Sequence, residues 1–397
     1  MKPFVFAKLS FMMLLEYFIW GAWYVTMGTY MSTFLHSTGI QIGAAYSALA
    51  IATMISPFFI GLVADRYFAA QRIMGVLHLA GAVLLYFATQ VVDNTAFYWI
   101  ILFYSLLYMP TIALSNSIAF HQLTDPGKQF PWIRVFGTVG WIIAGIMIGV
   151  LSIEKTPQTF YLAAIASALL GISSFTLPNT PPKGKSLEAS SAMGAEAFVL
   201  FTDRPYFIFF IAAVLVCIPL SFYYGFANLF LNEAGMHNAA GKMIIGQASE
   251  AIFILAIPFL FNSIGVKKML LLGMVAWILR YLCFAYGNVD ASLWMLYAGI
   301  ALHGICYDFF FVTGYMYTEK KAGEKIKNAA QGLFTFATYG AGMFIGTWFS
   351  GFTTDHYTTN GVHHWKEIWF VPVYIAIAVL LYFVFFFKEK DEVKQAA

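Results

Sequence analysis

Charged residues are scarce in this sequence of 397 residues: Asp, Glu, Lys and Arg make up 10% of it, whereas 60% of the residues are hydrophobic. Ordinary soluble domains have about 25% charged residues, so the composition excludes that class. Only three cysteines are present, at 217, 283 and 306, and they show neither metal-ligand spacing nor a pairing pattern. We therefore expect no metal site and interpret the thiols as small apolar groups in helix packing.

Enzyme motifs are also missing from the sequence. It contains no phosphate-binding glycine loop, no Gly-x-Ser-x-Gly, no His-Glu-x-x-His and no paired-Asp pattern. The formal net charge is only +3, and the basic residues are spread thinly along the chain, which argues against nucleic-acid binding. We predict a protein that is not an enzyme, does not bind nucleic acid and needs no cofactor.

Long apolar runs are what the sequence has in abundance. Each run has about 20 residues or more, enough to cross the hydrocarbon core of a membrane as a helix. The first run carries Glu16 and no small-residue cleavage site follows it, so we interpret it as a retained helix. The sequence predicts an all-α membrane protein with twelve spans, at residues 9–34, 41–64, 73–92, 96–121, 134–152, 159–177, 206–232, 242–263, 268–287, 291–317, 328–353 and 367–387.

The basic residues indicate how these spans are oriented. If both termini are cytoplasmic, 18 of the 22 Lys and Arg residues lie on the cytoplasmic side. Only Lys155, Lys242 and Lys366 lie outside, and Arg280 lies within a span. Positively charged loops stay in the cytoplasm, so we expect cytoplasmic termini, which agrees with an even number of spans.

The longest polar stretch divides the twelve spans into six and six. We predict an amino-terminal half at 1–177, a cytoplasmic linker at 178–204 and a carboxy-terminal half at 205–397. The second span of each half has Pro-Phe near its cytoplasmic end, at residues 57–58 and 258–259, before a short basic turn. Parallel repeats of this kind build transporters whose site lies between the halves.

The turn after the second span carries Gly61, Asp65 and Arg66. This pattern resembles the signature loop of the major facilitator superfamily, although a second glycine and a doubled basic pair are missing. An Asp at a helix end can accept backbone hydrogen bonds or pair with a neighbouring Arg, and so stabilise one conformation. The alternative is a solvated turn that only anchors the membrane edge.

The fifth span places Arg134, Thr138 and Trp141 at i, i+4 and i+7, on one stripe of a helix. A cation, a hydroxyl and an aromatic plate together suit a planar ligand that carries hydroxyl groups. The alternatives are an Arg134 side chain that extends to the cytoplasmic surface and a Trp141 side chain in ordinary core packing.

Two carboxylates, Glu250 and Asp308, lie deep within apolar runs. An ionised carboxylate there costs roughly 3 kcal/mol on insertion, so it is retained when it binds a ligand, carries a proton or pairs with a charge. Gln247 precedes Glu250 by three residues and shares its helical face. The alternative is a static ion pair with Arg280 or Arg134.

Other polar residues within spans are weaker candidates for ligand contact. His303 lies one turn before Tyr307 and could share its face, or be an ordinary core histidine. Ser221 and Tyr224 lie in the seventh span, where the tyrosine could bind a ligand or pack with a polar tip. Glu16 is a third acid within a span, and it could line a cavity or pair with a cation elsewhere in the amino-terminal half.

These residues together resemble the nucleoside:proton symporter family of the major facilitator superfamily. The resemblance extends over nearly the whole chain and rests on matching segments in several helices, in the right order. They are Trp20-Gly-Ala-Trp23, Ile42-Gly-Ala-Ala-Tyr-Ser47, Tyr108-Met-Pro-Thr111, Arg134-Val-Phe-Gly-Thr138, Gln247-Ala-Ser-Glu250, Ala276-Trp-Ile-Leu-Arg280 and Asp308-Phe-Phe310.

The resemblance implies a multi-pass protein of the bacterial inner membrane that imports nucleosides with protons by alternating access, as a monomer in the lipid bilayer. It implies a nucleoside cavity lined by Arg134, Thr138, Trp141, Gln247, Glu250, Tyr307 and Asp308. Glu250 and Asp308 would couple proton movement to transport, with the proton as coupling ion and no other cofactor.

Four positions depart from the family pattern and leave the substrate open. Ser221 and Tyr224 stand where we expect amide side chains, His303 where we expect tyrosine, and Glu16 where we expect glutamine. The alternatives are therefore a proton symporter of the same fold for a sugar or nucleobase, and a protein that keeps the fold but only binds its ligand.

Overall fold

The computed structural model describes residues 2–59, 68–182 and 195–388, and almost all of them are helical. The first seven helices are α1 Pro3–Trp23, α2 Met27–Thr33, α3 Gly39–Phe59, α4 Ala70–Ala88, α5 Asn94–Gln122, α6 Pro126–Leu151 and α7 Gln158–Ser174. A 3₁₀ helix, Ala195–Thr202, then precedes α8 Arg204–Glu233, α9 Ala239–Tyr286, α10 Leu293–Ala301, α11 His303–Tyr307, α12 Thr313–Thr335, α13 Met343–His356 and α14 Trp365–Phe386. Two π-helical segments, Asp308–Val312 and Phe336–Gly342, flank α12.

The predicted all-α membrane architecture is confirmed. Among the described residues, ten helical stretches are long and apolar enough to cross a membrane, and a shorter apolar helix, α7, accompanies them. One of the ten, Leu293–His356, covers two of the predicted spans. The count of twelve and the cytoplasmic termini remain predictions.

Glycines with positive φ interrupt the longest helices. Gly265 (φ 77°) breaks α9 and Gly323 (φ 64°) breaks α12. Non-glycine residues rarely adopt this conformation, so a glycine here ends one helical stretch and allows another to begin. Gly265 lies between the predicted eighth and ninth spans, and Gly323 between the tenth and eleventh.

The beginning of α6 differs from the prediction. We expected the fifth span to begin at Arg134, but α6 begins at Pro126, two turns earlier. The carboxylate of Asp125 accepts a hydrogen bond from the Lys128 amide at 3.3 Å, and a proline at the first helical position needs no hydrogen-bond partner for its nitrogen. Arg134 is therefore well inside the helix.

A short β-hairpin between α13 and α14 was not predicted. Strands Thr358–Thr359 and Val362–His363 pair antiparallel around Asn360 and Gly361, which both have positive φ. Asn-Gly favours this tight hairpin turn, so the sequence did contain a signal for it.

The described residues form two compact units. The first contains the residues up to 182 together with 224–232 and 237–244, and the second contains 195–223, 233–236 and 245–388. The predicted conformational residues Gly61, Asp65 and Arg66 lie outside the described residues. The predicted boundaries of the halves and the linker remain predictions.

Candidate substrate and proton site

The stripe on α6 lies against α1 in the first unit. The guanidinium carbon of Arg134 lies 4.0 Å from the ring centroid of Tyr17, in cation–π geometry. A Cβ added at Gly137 would lie 2.7 Å from both Arg134 Nη1 and Tyr17 Cδ2, so the glycine leaves room for this contact. Arg134 is half-buried and held over α1.

Aromatic side chains extend this stripe. The rings of Trp141 and Trp20 meet edge to face with centroids 5.6 Å apart. Thr138 lies between Arg134 and Trp141 on the same stripe and is half-buried, as Trp141 is. One turn beyond Trp20, Tyr24 contacts Tyr224 at 5.2 Å. The first unit therefore offers a cation, a hydroxyl and several aromatic faces, the groups that suit a planar ligand with hydroxyls.

Glu250, His303 and Arg280 form a connected cluster in the second unit. Arg280 Nη1 lies 3.1 Å from His303 Nδ1, and His303 Nε2 lies 3.9 Å from Glu250 Oε2. Arg280 is fully buried, and its guanidinium carbon lies 3.3 Å from the centroid of Tyr223. The glutamate side chain is 34% exposed, so a ligand or water can reach it.

The donors and acceptors in this cluster determine which nitrogen of His303 carries hydrogen. Arginine only donates hydrogen bonds, so Nδ1 of His303 accepts from Arg280. The neutral ring then carries its hydrogen on Nε2, which faces Glu250. His303 thus presents an N–H group to the Glu250 carboxylate, although 3.9 Å is longer than a hydrogen bond.

Close helix packing fixes the position of Glu250. The Ser249 hydroxyl donates to the Ala301 carbonyl at 2.5 Å and accepts from the Gly304 amide at 3.2 Å. These bonds hold α9 against the end of α10 and the beginning of α11, and so hold Glu250 beside His303. Gln247 is half-buried and lies one turn before Glu250 on α9.

Replacement of Gly304 by alanine tests this packing. The new Cβ would lie 2.5 Å from the Ser249 carbonyl carbon and 2.6 Å from the Glu250 nitrogen, so α9 must move away. Overpacking of this kind costs about 1–3 kcal/mol, and we expect a lower Tm of the purified protein and reduced uptake. The control is Gly332→Ala, where a Cβ meets no atom within 4 Å. A wild-type Tm for Gly304→Ala would contradict this account.

Asp308 is the second candidate acid of this unit. It is fully buried, and among the described residues neither carboxylate oxygen has a hydrogen-bond partner. An ionised group without a partner is costly in an apolar environment, and a carboxyl that holds a proton avoids most of this cost. Asp308 begins a π-helical segment, a feature that is frequent at functional sites.

The remaining candidates have different surroundings. Tyr307 is half-buried, and its hydroxyl forms a hydrogen bond with the hydroxyl of Tyr339. Ser221 is buried, its hydroxyl donates to the Ile218 carbonyl of its own helix, and it packs against Gly346. The predicted contact of Ser221 with the ligand stays a prediction.

The sequence leaves two possibilities for Glu16, a cavity residue or the partner of a cation, and His78 was not among the predicted residues. Glu16 is fully buried, and its Oε2 lies 3.0 Å from His78 Nε2. The structure thus pairs the acid with another residue of the amino-terminal half. The sequence signal was present, because a histidine within an apolar span needs a polar partner.

Comparison with known proteins identifies the family. The family model described as "Nucleoside H+ symporter" matches residues 4–392. The chain belongs to the nucleoside H+ symporter family. A relative from Escherichia coli (strain K12), "Putative nucleoside transporter YegT", is 43% identical over 98% of this chain and 95% of its own. The "Xanthosine permease" of the same organism is 36% identical over 98% of both chains.

A solved structure agrees with the family assignment. The symporter matches the crystal structure of the nucleoside transporter NupG with a TM-score of 0.91 and 33% identity, over 97% of this chain and 100% of that one. The predicted transporter fold of the major facilitator type is confirmed. Three further predictions are confirmed: the chain is a proton-coupled nucleoside importer, it is not an enzyme, and it spans the bacterial inner membrane several times.

Proposed function

We propose that this symporter imports nucleosides by alternating access and that Glu250 and Asp308 carry the coupled proton. The observation that supports this most directly is the cluster of Glu250, His303 and Arg280. It combines an accessible carboxylate, a neutral imidazole and a buried cation within one unit. A carboxylate in such surroundings can change its protonation when a ligand or water enters.

In the proposed cycle, Glu250 or Asp308 is protonated when the carrier faces outside. Gln247, Tyr307 and Trp141 hold the nucleoside by hydrogen bonds and base stacking, and Arg134 and Thr138 contact it toward the cytoplasmic side. Opening to the cytoplasm changes the surroundings of the acid and releases the proton.

The same proposal includes features that the fold leaves open. These are twelve spans with cytoplasmic termini, a monomer in the lipid bilayer, no contact with nucleic acid and no cofactor other than the coupling proton. We also propose that two residues of α8, Ser221 and Tyr224, influence which nucleoside is accepted. Tyr224 would do so through its contact with Tyr24.

Uptake of radiolabelled uridine and adenosine tests the function. The host cells lack their own nucleoside carriers, and each nucleoside is measured with and without a protonophore. We expect saturable uptake that the protonophore abolishes and that excess unlabelled nucleosides inhibit. Inhibition only by nucleobases or sugars would assign the site to those substrates, and binding without flux would indicate a protein that does not transport.

A further inference from the structure

We propose that Glu16 and His78 form a second proton-binding site, which takes up and releases one proton during the transport cycle. This inference rests on the proton-coupled function and adds a site in the first unit, whereas the Glu250 cluster belongs to the second. Glu16 lies on α1 and His78 on α4, and they are 0% and 2% exposed. Both groups are therefore shielded from water in this structure.

Every polar contact of the Glu16 carboxylate comes from a neighbouring helix. Its Oε2 lies 3.0 Å from His78 Nε2, and its Oε1 accepts a hydrogen bond from Thr111 Oγ1 at 2.7 Å. The Tyr108 hydroxyl donates to the backbone carbonyl of Glu16 at 2.6 Å. The pair is thus fixed in place by α4 and α5.

One hydroxyl group allows two protonation states. Ser167 Oγ lies 2.9 Å from the backbone oxygen of His78 and 3.2 Å from His78 Nδ1. A serine hydroxyl carries one hydrogen, so it donates to only one of these two atoms at a time. Rotation of this hydroxyl changes which nitrogen of the His78 ring, Nδ1 or Nε2, must carry a hydrogen.

In the first state, Ser167 donates to the backbone oxygen and accepts from Nδ1–H of His78. Nε2 then faces Glu16 Oε2 at 3.0 Å, and two lone pairs at that distance would repel. A proton must therefore lie between the two atoms, as a carboxylic acid with imidazole or as a carboxylate with imidazolium. The pair as a whole is neutral in this state.

In the second state, Ser167 donates to Nδ1 of His78. The ring now carries its single hydrogen on Nε2, which donates to the ionised Glu16 carboxylate. The pair holds one proton fewer than in the first state, and both ring nitrogens of His78 and the Glu16 carboxylate still have hydrogen-bond partners. Both states are hydrogen-bonded, so the site can exchange one proton without leaving a buried polar group unsatisfied.

The ionisable groups around the pair connect it to the substrate site. Glu16 interacts electrostatically with three tyrosines, Tyr17 on α1 and Tyr104 and Tyr108 on α5. Arg134 on α6 interacts with two of them, Tyr17 and Tyr108. The cation of this group, Arg134, lies over the ring of Tyr17, the residue next to Glu16. A shift of α1 on nucleoside binding would therefore move both the stripe of Arg134 and the proton-binding pair.

Two substitutions fix the pair in opposite states. In Glu16→Gln, the amide can donate to Nε2 of His78 and accept from Thr111, which imitates the proton-bound state. In His78→Gln, the amide can donate to the Glu16 carboxylate, which imitates the proton-free state. Glu16→Gln removes the acid that binds the proton, and His78→Gln removes the imidazole that shares it, while both variants keep a hydrogen bond between the two side chains.

The control is Glu154→Gln, which removes another buried acid of the first unit. Asn228 and Asn232 donate to the same oxygen of Glu154, at 3.0 and 2.8 Å, and a glutamine oxygen can accept both bonds. This variant should transport as the wild type does.

The measurement is the steady-state accumulation ratio in proteoliposomes, with a pH difference of one unit and the membrane potential clamped at zero. The probe is radiolabelled uridine, or adenosine where the wild type does not accumulate uridine. One proton fewer per nucleoside lowers this ratio about tenfold, because one pH unit is a tenfold ratio of proton concentrations. A defect that only slows transport leaves the final ratio unchanged.

We expect a fall of about tenfold for Glu16→Gln and for His78→Gln, and the wild-type ratio for Glu154→Gln. Wild-type ratios in both pair variants would overturn the proposal and leave the pair a structural contact. If the Tm shows that one variant is unfolded, the other gives the answer. A wild-type protein that shows no accumulation driven by the pH difference would instead contradict the proton-coupled function itself.

Discussion

Replacement of Glu250 with glutamine is expected to lower the nucleoside accumulation driven by a pH difference of one unit about tenfold, because one proton fewer is carried with each nucleoside. Glutamine has nearly the same size as glutamate, but it cannot bind and release a proton. The change therefore removes the proton carried at Glu250 while leaving the packing of α9 against α10 and α11 intact. Exchange of labelled for unlabelled nucleoside without a gradient should remain.

The control for this experiment is Glu319→Gln on α12. Glu319 is exposed, and its carboxylate accepts a hydrogen bond from Gln331 that a glutamine oxygen can also accept. The control removes one acidic charge from the same unit without touching the cluster. Accumulation by Glu250→Gln at the wild-type level would exclude Glu250 as the proton carrier. Loss of exchange as well as accumulation would indicate that Glu250 is needed to bind the nucleoside.

The position of the acids within long apolar helices could be predicted from the sequence, because it depends only on the residues around them. Glu250 and Asp308 were found in this way, and the helical spacing correctly placed Arg134, Thr138 and Trp141 on one stripe. The division of α9 near Gly265 also followed from a polar, basic turn between two apolar runs. These features are local, so the order of residues is enough to predict them.

The partners of these residues could not be predicted, because they come from distant parts of the chain. Glu16 pairs with His78, 62 residues away, and spacing along one helix does not reveal which helix packs against it. Ser221 makes a contact that the sequence pattern did not predict, because its hydroxyl donates to the Ile218 carbonyl of its own helix. Its contact with the ligand stays a prediction.

Replacement of Asp308 with asparagine separates the two roles that the sequence allows for this acid. If Asp308 were half of a buried ion pair, its loss would leave an uncompensated charge and destabilise the protein by about 3–5 kcal/mol. In the structure, however, neither carboxylate oxygen has a hydrogen-bond partner among the described residues. An amide of almost the same shape should therefore be tolerated, and we expect a Tm close to that of the wild type.

Transport should nevertheless be strongly affected, because asparagine cannot exchange a proton. We expect Asp308→Asn to lower the accumulation driven by a pH difference of one unit about tenfold, while the purified protein keeps its Tm and still binds uridine or adenosine in a direct binding assay. A large fall in Tm would instead support the static ion pair. A normal Tm with normal accumulation would leave Glu250 as the proton carrier of the second unit, since Asp308 would then be a buried acid that keeps its proton throughout the cycle.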